Sequence, residues 1–357
     1  MPRHPLGVGW EPSKGAVEGA SPTPTDHCPP GVGTEPFRGL AKGSDPTPTA
    51  CGQATRASPK FATLDVMTEP FRGSSSGVTK KRLRGPGYTR LSRDVYLLQE
   101  ATVDVRARAD AALLLFPEAV VCLQTAAVLL KLPVDDDGLI HLDRGKRAPR
   151  TERDGFKTHR LGIPDSRVHD LKGLKVADGP RCFADLSDRL DLEQLVALGD
   201  VVARRWSQAD VDAAVTDHGR RPGIALLRQA VQLLDPRSDS PAETRARLRV
   251  HAAGFVGLVH GVVINDRAGQ WLAAPDLADP EAKVAVQHEG KVHFLQDEKR
   301  RRHDVDRDDL SRAQGWEVVV STATDDAKPQ RLLERLEIAY LKQARVLGRQ
   351  VLPPHLR

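Results

Sequence analysis

The chain has 357 residues, with 39% apolar, 4% aromatic and 28% charged residues and a formal net charge of +5 at pH 7. This length allows two or three domains, and the 29 Gly and 26 Pro residues indicate that part of the chain builds no core. The longest apolar run, 111–116, is too short to span a bilayer, and the four Cys lack metal or disulfide-framework spacing, so we expect a cytoplasmic protein with reduced thiols and no membrane contact.

Residues 1–80 are rich in Pro, Gly, Ser and Thr and have no helical or strand period, which predicts disorder. Pro-Thr-Pro-Thr occurs twice in this segment, and the hexapeptide Thr-Glu-Pro-Phe-Arg-Gly occurs at 34–39 and again at 68–73. The two spacings, 24 and 34 residues, differ, which excludes a solenoid. One interpretation is a tail that binds a partner through the hexapeptide. The other, favoured because nothing here could bury a core, is duplicated low-complexity sequence upstream of the true start.

Order is predicted from about residue 80, and residues 85–234 are predicted to form an α+β middle domain. A basic stretch, 80–84, and a Gly-Pro-Gly turn come first. Apolar alternation predicts strands and helical spacing predicts helices. The strands are expected at 91–98, 138–142, 156–161 and 174–176, and the helices at 104–116, 118–131, 182–190, 192–205, 208–218 and 223–234. The segment 118–131 is alternatively a strand that runs into a helix.

Three groups of residues in the middle domain resemble the region found in AbiEi-type antitoxins. They are GYTRLSRDVY at 87–96, Thr125-Ala-Ala127 with Leu132-Pro133, and His159-Arg160. The resemblance implies a winged helix-turn-helix at the amino end, together with a toxin or regulatory partner. Only the wing-like part is recognisable, because the expected recognition helix would precede Gly85 in low-complexity sequence.

The loop 144–150 of the middle domain is strongly basic and joins two predicted strands. Lys146 and Arg147 in this loop are candidates for phosphate contacts, because a cluster of cations attracts a polyanion. A solvated basic loop without a ligand is the alternative.

Residues 240–345 are predicted to form a carboxy-terminal α/β domain. Ser240 is a natural helix N-cap, Pro241 suits the first helical position, and Glu243 completes a capping box. After this helix, which is expected to end near residue 253, the pattern alternates between apolar strands and charged helical segments. The expected order is a hairpin of 257–266 and 270–277, a strand at 282–288, a charged helix at 295–314, a strand at 316–321 and a helix at 328–343.

Several ordered landmarks in this domain resemble the DUF559 group of bacterial proteins and the very-short-patch repair endonucleases. They are SPAET at 240–244, PDLADPEAKVAVQHEGKVH at 275–293, Asp304 with Arg307, and Gly315-Trp316 before the last strand. The resemblance covers about 100 residues and implies a restriction-endonuclease-like fold with a metal site of the PD-(D/E)xK type. Such a site holds a hard divalent cation, Mg²⁺ or Mn²⁺, by oxygen ligands beside a scissile phosphate.

The resemblance assigns roles to five residues. Asp276 at the end of a hairpin strand would hold the metal ion with Gln287 and Glu289, which alternate with His288 and so share one face of the next strand. Glu289 would otherwise orient the attacking water, Glu243 would lie at the border of the cavity, and His293 would move protons or contact phosphate. Gln287 stands where the family usually has Glu, so Mg²⁺ would bind more weakly. Glu243 as a helix cap and His293 as a surface histidine are the alternatives.

The basic run 299–302 and the helix around it are the expected DNA-contact surface of this domain. Arg301, Arg302 and Arg307 are the candidates for phosphate contacts, and a solvated helix face is the alternative.

Three functions follow from these patterns. The first is a Mg²⁺-dependent DNA endonuclease in which Asp276 and Glu289 hold the metal. The second, which Gln287 favours, is a non-catalytic DNA-binding regulator or antitoxin-like protein with a degenerate nuclease domain. The third is a protein-interaction module without a nucleic-acid role. The endonuclease hypothesis requires that the carboxylates of Asp276 and Glu289 share one pocket.

Overall fold

The computed structural model describes residues 69–149, 152–153, 155–289, 309–348, 351–353 and 356. Within these ranges the chain is a mixed α/β protein with several sheets, as the sequence predicts. The first hexapeptide, 34–39, and the rest of the predicted disordered segment up to residue 68 lie outside the described residues. No helix of the described ranges is long and apolar enough to cross a membrane.

The amino-terminal part of the described chain is a small antiparallel sheet with strand order β1-β3-β2. Its elements are β1 (Phe71–Arg72), α1 (Lys80–Leu83), β2 (Tyr88–Ser92) and β3 (Val95–Leu98). The prediction of disorder to residue 80 is therefore wrong from residue 71 onward. The physical reason is that Phe71 finds aromatic partners on the hairpin, with its ring centroid 5.9 Å from that of Tyr88.

The middle region contains a six-stranded sheet with strand order β6-β7-β5-β4-β9-β8. In this sheet β5 runs parallel to β7 and β4 runs parallel to β9, while the other pairs are antiparallel. The strands are β4 (Val120–Val121), β5 (Ile140–Asp143), β6 (Glu152–Arg153), β7 (Phe156–His159), β8 (Val168–Leu171) and β9 (Leu174–Ala177). The segment 118–131 is thus a strand followed by a helix, which confirms the alternative interpretation.

Helices of the middle region pack against this sheet and share one apolar core with it. Side-chain caps fix the starts of several of them: Asp104 accepts from the backbone of Ala107 at α2, and Asp191 forms a capping box with Gln194 at α5. The helices are α2 (Val105–Leu115), α3 (Leu123–Leu129), α4 (Gly179–Asp185), α5 (Leu192–Arg205), α6 (Gln208–His218) and α7 (Ile224–Val231).

The carboxy-terminal region begins with α8 (Pro241–Ala252) and has its own apolar core. A short hairpin, β10 (Ile264–Asn265) with β11 (Trp271–Ala273), precedes a three-stranded sheet with order β12-β13-β14. In that sheet β13 is antiparallel to β12 and parallel to β14. The remaining elements are β12 (Leu277–Asp279), β13 (Val284–Glu289), α9 (described over 309–313), β14 (Glu317–Thr322), α10 (Ala323–Ala327) and α11 (Gln330–Leu347).

The hairpin differs from its prediction, because the expected second strand, 270–277, is divided into β11 and β12. Pro275 lies at the break, where it has no N–H to donate to a strand ladder. The expected first strand, 257–266, is likewise reduced to β10 and a single bridge between Val259 and Ala278. The division places Asp276 immediately before β12.

The outer edge of the carboxy-terminal sheet is β14, and side chains of α11 cover part of it. Arg335 donates a 3.1 Å hydrogen bond to the carbonyl oxygen of Val320 and pairs with Asp325. At the other end of the strand, Lys342 forms a 2.6 Å ion pair with Glu317. Polar side chains therefore occupy both ends of this edge.

Candidate functional site

Asp276 and Gln287, two of the predicted metal ligands, meet across β12 and β13. The strand register pairs Leu277 with Val286, whose side chains are both buried in the core, so the positions before and after them share the opposite face. The Asp276 Oδ2 atom accepts a 3.2 Å hydrogen bond from the Gln287 amide nitrogen and a 2.5 Å hydrogen bond from the backbone N–H of His288. The convergence of the strands therefore gives this carboxylate oxygen two amide donors.

Asp276 and Gln287 are hydrogen-bonded to each other in this arrangement. Gln287 presents its amide N–H to Asp276, whereas a cation between the two side chains would need the carbonyl oxygen of Gln287 there. The cavity beside Gln287 has a volume of about 10 Å³, room for about one water molecule. Within the described residues, no three His, Cys, Asp or Glu side chains are grouped so that they could hold a metal ion.

Glu243 lies at the start of α8, where it caps the helix. Its two carboxylate oxygens accept hydrogen bonds of 2.8 Å from the Ser240 hydroxyl and 2.9 Å from the backbone N–H of Asp239. The Ser240 hydroxyl in turn accepts from the backbone N–H of Glu243 at 3.2 Å. Ser240 is therefore the N-cap that the sequence predicts, but the predicted capping box is only half formed, because Glu243 accepts from the Asp239 N–H and the Ser240 hydroxyl instead of the Ser240 backbone N–H.

The side chains of the other predicted site residues of this domain lie outside the described residues. Glu289 is the last residue of β13, opposite Thr322 of β14, and its side chain lies outside the described residues. The same holds for His293 and for the basic residues of the charged helix: Arg301, Arg302 and Arg307. The hypothesis that Asp276 and Glu289 share a pocket therefore stays a prediction.

Sequence reasoning missed His260, a buried histidine beside this site. Its side chain is 3% exposed, and its Nε2 atom has no hydrogen-bond partner among the described residues. Burial lowers the pKa of His260, while Asp235, the backbone of Asp276 and Glu243 act in the opposite direction. Burial thus favours the neutral imidazole of His260. A single His in the apolar run GLVHGVV gave no sequence signal of this placement.

Asp200 forms a second buried carboxylate centre, which joins α5 to α8. Its Oδ1 atom accepts from the backbone N–H of Asp235 at 2.7 Å. Its Oδ2 atom accepts from the Thr244 hydroxyl at 2.7 Å and from the Arg247 guanidinium at 3.0 Å. Burial raises the pKa of Asp200, and the three donors oppose that rise. The centre links the middle region to the carboxy-terminal region.

A histidine pair at the six-stranded sheet also escaped the sequence analysis. His141 is buried on β5, and its Nδ1 atom lies 2.8 Å from Nε2 of His159 on the adjacent strand β7. The rings are stacked at 5.0 Å, and the other nitrogen of His141 lies 2.8 Å from a carboxylate oxygen of Asp137. Burial lowers the pKa of His141 against the raising effect of Asp137. Only strand pairing brings these residues together.

Two basic surfaces lie in the first half of the described chain. The first, which we call the amino-terminal basic surface, comprises exposed cations of α1 and the β2–β3 hairpin that form no ion pair with any described residue: Lys80, Lys81, Arg82, Arg84, Arg90 and Arg93. The second is the predicted loop, where Lys146 and Arg147 are exposed. The stem of Lys146 lies over Gly162, and Arg160 donates to the carbonyl oxygen of Ala148 at 2.7 Å, so the loop is held against β7.

Comparison with known proteins gives two relatives and no family. No protein-family model matches the chain. Similar to it are the uncharacterized protein MT2308 of Mycobacterium tuberculosis strain CDC 1551 / Oshkosh and the uncharacterized protein Rv2248 of strain ATCC 25618 / H37Rv. Each is 28% identical over 284 residues, which cover 75% of this chain and 97% of the relative. The similarity spans nearly the whole of each mycobacterial protein and assigns no activity.

Proposed function

We propose that the protein is a non-catalytic DNA-binding protein, a regulator or antitoxin-like protein whose carboxy-terminal region has the layout of a restriction-endonuclease-like domain without its hydrolytic activity. The observation that carries nucleic-acid binding is the amino-terminal basic surface, with six exposed cations within 80–93 that pair with no described carboxylate. Unneutralised cations on one small unit bind a phosphate backbone by releasing its counterions, which requires no base-specific contact.

The Asp276 centre supports the non-catalytic part of the proposal. The Asp276 carboxylate already accepts from the Gln287 amide and the His288 N–H, and a metal ion bound at the same oxygen would have to displace these donors. Glu243 has both oxygens engaged in the helix cap. The restriction-endonuclease-like layout is supported by the order of helix, hairpin, strands and helix and by the parallel pairing of β13 with β14.

The test of DNA binding is a charge reversal with a matched control. Fluorescence anisotropy measures binding of the full chain and of the double variant Lys80→Glu/Lys81→Glu to a labelled DNA duplex between 50 and 200 mM salt. We expect the variant to bind about tenfold more weakly, with a salt slope reduced by roughly 2, because each lost phosphate contact removes about one unit. Single-stranded DNA and RNA of the same length show which nucleic acid is preferred.

The control is Lys172→Glu/Lys175→Glu, which changes the net charge equally at two exposed lysines near the β8–β9 turn. It should weaken binding less than about threefold, because it alters only the overall field of the protein. An equal loss in both variants would contradict a basic surface with a defined ligand and leave only non-specific attraction.

A Mg²⁺-dependent endonuclease is the second candidate, because Asp276 and Gln287 do converge on one face of the sheet. Plasmid nicking with Mg²⁺ or Mn²⁺ compares the full chain with Asp276→Asn. The non-catalytic proposal expects no metal-dependent nicking in either protein. Nicking by the unmodified chain that Asp276→Asn abolishes would overturn it in favour of the nuclease.

A further inference from the structure

Three polar side chains form a continuous hydrogen-bonded chain beside the strands β5 and β7. A carboxylate oxygen of Asp137 lies 2.8 Å from Nε2 of His141, and Nδ1 of His141 lies 2.8 Å from Nε2 of His159. The side chain of Asp137 is 35% exposed and His159 is half-buried, whereas His141 is fully buried. His141 therefore depends on these two neighbours for the hydrogen bonds of both its ring nitrogens.

The carboxylate of Asp137 determines which nitrogens of this chain carry protons. Burial raises the pKa of Asp137, but the hydrogen bonds from His141 and from the Leu139 backbone outweigh that effect and hold the pKa below its usual value. An ionised carboxylate only accepts hydrogen bonds, so Nε2 of His141 carries a proton. In neutral His141 the other nitrogen, Nδ1, is then a bare acceptor, and it takes the Nε2–H of His159.

The hydrogen bond between the rings limits the charge that the pair can carry. Three protons on its four ring nitrogens, one positive charge, still leave one bare nitrogen between the rings to accept. Four protons, two positive charges, would place N–H against N–H across 2.8 Å. Because His141 is fully buried, its new N–H would find no water instead. A second positive charge on the pair therefore requires the rings to separate.

The charged groups around the pair do not relieve this limit. They are Asp137 before β5, Asp143 on β5, Lys157 on β7, Arg189 after α4 and, by strand register, Glu152 on β6. Burial lowers the pKa of His141, Asp137 raises it, and Arg189 and Lys157 lower it further. The one carboxylate that favours a charged His141 is thus opposed by two cations.

The residues that follow His159 are attached to the basic loop, of which the structure describes 144–149. The carbonyl oxygen of His159 accepts the backbone N–H of Arg144 at 3.2 Å. Arg160 donates to the carbonyl oxygen of Ala148 at 2.7 Å. The Asp143 carboxylate accepts three backbone N–H groups, of residues 145, 161 and 163, at 3.1, 2.8 and 2.9 Å. Separation of the rings at the end of β7 would therefore loosen the loop as well.

We propose that Asp137, His141 and His159 form a pH-sensitive switch that holds residues 144–149 and 160–163 against the sheet and releases them when the histidine pair takes up a second proton. We call this arrangement the histidine switch. It responds to mild acid and not to a ligand. The inference is independent of the proposed DNA binding, because it concerns the movement of the loop whether or not the loop contacts a nucleic acid.

The pH range of the switch follows from the number of protons in each state. The closed pair binds one added proton, whereas two solvated histidines bind two, with an ordinary pKa of about 6.5. The open state therefore binds more protons than the closed state in acid, and opening becomes more favourable by up to about tenfold per pH unit below that value. Above it the closed state keeps its full advantage.

Hydrogen exchange of the full chain at pH 7.5 and pH 5.5, corrected for the intrinsic pH dependence of exchange, tests the switch. We expect the protection of residues 144–149 and 160–163 to be about tenfold lower at pH 5.5. The β2–β3 hairpin, 88–98, contains no histidine and serves as the internal reference, with equal protection at both pH values.

Two variants assign the effect to the histidine pair. His141→Gln removes the buried proton acceptor, so its loop protection should differ less than about twofold between the two pH values. The matched control is His169→Gln, the same change at an exposed position of β8, which should keep the tenfold difference. A tenfold difference that persists in His141→Gln, or that disappears in His169→Gln, would overturn the proposal.

Selective ¹⁵N labelling of histidine tests the proton arrangement in the unmodified chain, which covers the case that His141→Gln does not fold. Two-bond ¹H–¹⁵N spectra distinguish the Nε2–H, Nδ1–H and doubly protonated rings, and the signals of the pair are those that His159→Gln removes or shifts. At pH 7.5 we expect His141 in the Nε2–H form. An Nδ1–H or doubly protonated His141 at that pH would contradict the switch.

Discussion

Asp200 and Asp276 are carboxylates of the same kind in two regions of the molecule, and the structure surrounds them differently. Asp200 is 1% exposed at the junction of α5 and α8 and faces the guanidinium of Arg247, which is itself buried. Asp276 is half-buried before β12 and accepts from the Gln287 side chain and the His288 backbone, both neutral amides. Asp200 thus faces a buried cation, whereas the hydrogen bonds from Gln287 and His288 reach Asp276 from amide groups.

Asp200 joins two helices, α5 and α8, through a buried ion pair. Asp276 is oriented by hydrogen bonds between two adjacent strands. Removing the charge of Asp200 would leave a buried cation without its counter-charge, which is the costly way to break a buried pair. Removing the charge of Asp276 leaves the two amide donors with an acceptor of the same shape.

The largest effect that tests this contrast is expected from the isosteric change Asp200→Asn. The variant should lose about 3 kcal/mol of unfolding free energy, because Arg247 keeps its buried charge and loses the opposing one. Asp276→Asn, the same change at the other centre, should cost about 1 kcal/mol or less. Chemical denaturation of both variants measures the difference in unfolding free energy. Equal losses of unfolding free energy would contradict the contrast between the two aspartates.

A smaller effect is expected from Gln287→Glu, which places a second carboxylate against Asp276. Without divalent cations the two like charges should destabilise the protein by about 1 kcal/mol. Mg²⁺ should restore that loss in the variant alone, since binding only to the folded state raises stability by mass action. Thermal unfolding in EDTA and in Mg²⁺ measures both quantities.

The control for Gln287→Glu is Gln270→Glu, the same change at an exposed position on the β10–β11 hairpin. It should show neither the loss nor the rescue. If Mg²⁺ stabilised the unmodified chain as much as Gln287→Glu, the native site would already bind the metal. That result would contradict the contrast between Asp200 and Asp276 and favour the nuclease.

Local signals predicted much of the fold. The bounds of α5 and α6 match the expected helices, because Asp191 and Ser207 are strong N-caps that fix the starts. The buried strands β13 and β14 were predicted from another local signal, their near-continuous apolar runs. The division of the second hairpin strand was missed, since the effect of Pro275 on the ladder outweighed the apolar pattern.

The candidate site was predictable only where it depends on strand alternation. The sequence placed Asp276 and Gln287 in one predicted metal site, and the shared face that it predicted was that of Gln287 and Glu289; the antiparallel pairing that brings Asp276 to Gln287 came from the structure. His260, and the contact of His141 with His159, depend on packing between segments that no local pattern relates. The docking of Phe71 was hidden for another reason, because its segment has the composition of disorder and gains order only by pairing with β3.

The polar covering of β14 has a consequence for the chain in a crowded environment. An edge strand with an apolar run, such as Val318 to Val320 of β14, is a template on which another extended chain can add itself, the first step of aggregation. Here an incoming strand must displace the Arg335 guanidinium from Val320 and break the Glu317–Lys342 pair. Helix α11 therefore hinders the addition of another strand to this edge of the sheet. We expect the folded protein to stay soluble only while α11 remains packed on β14.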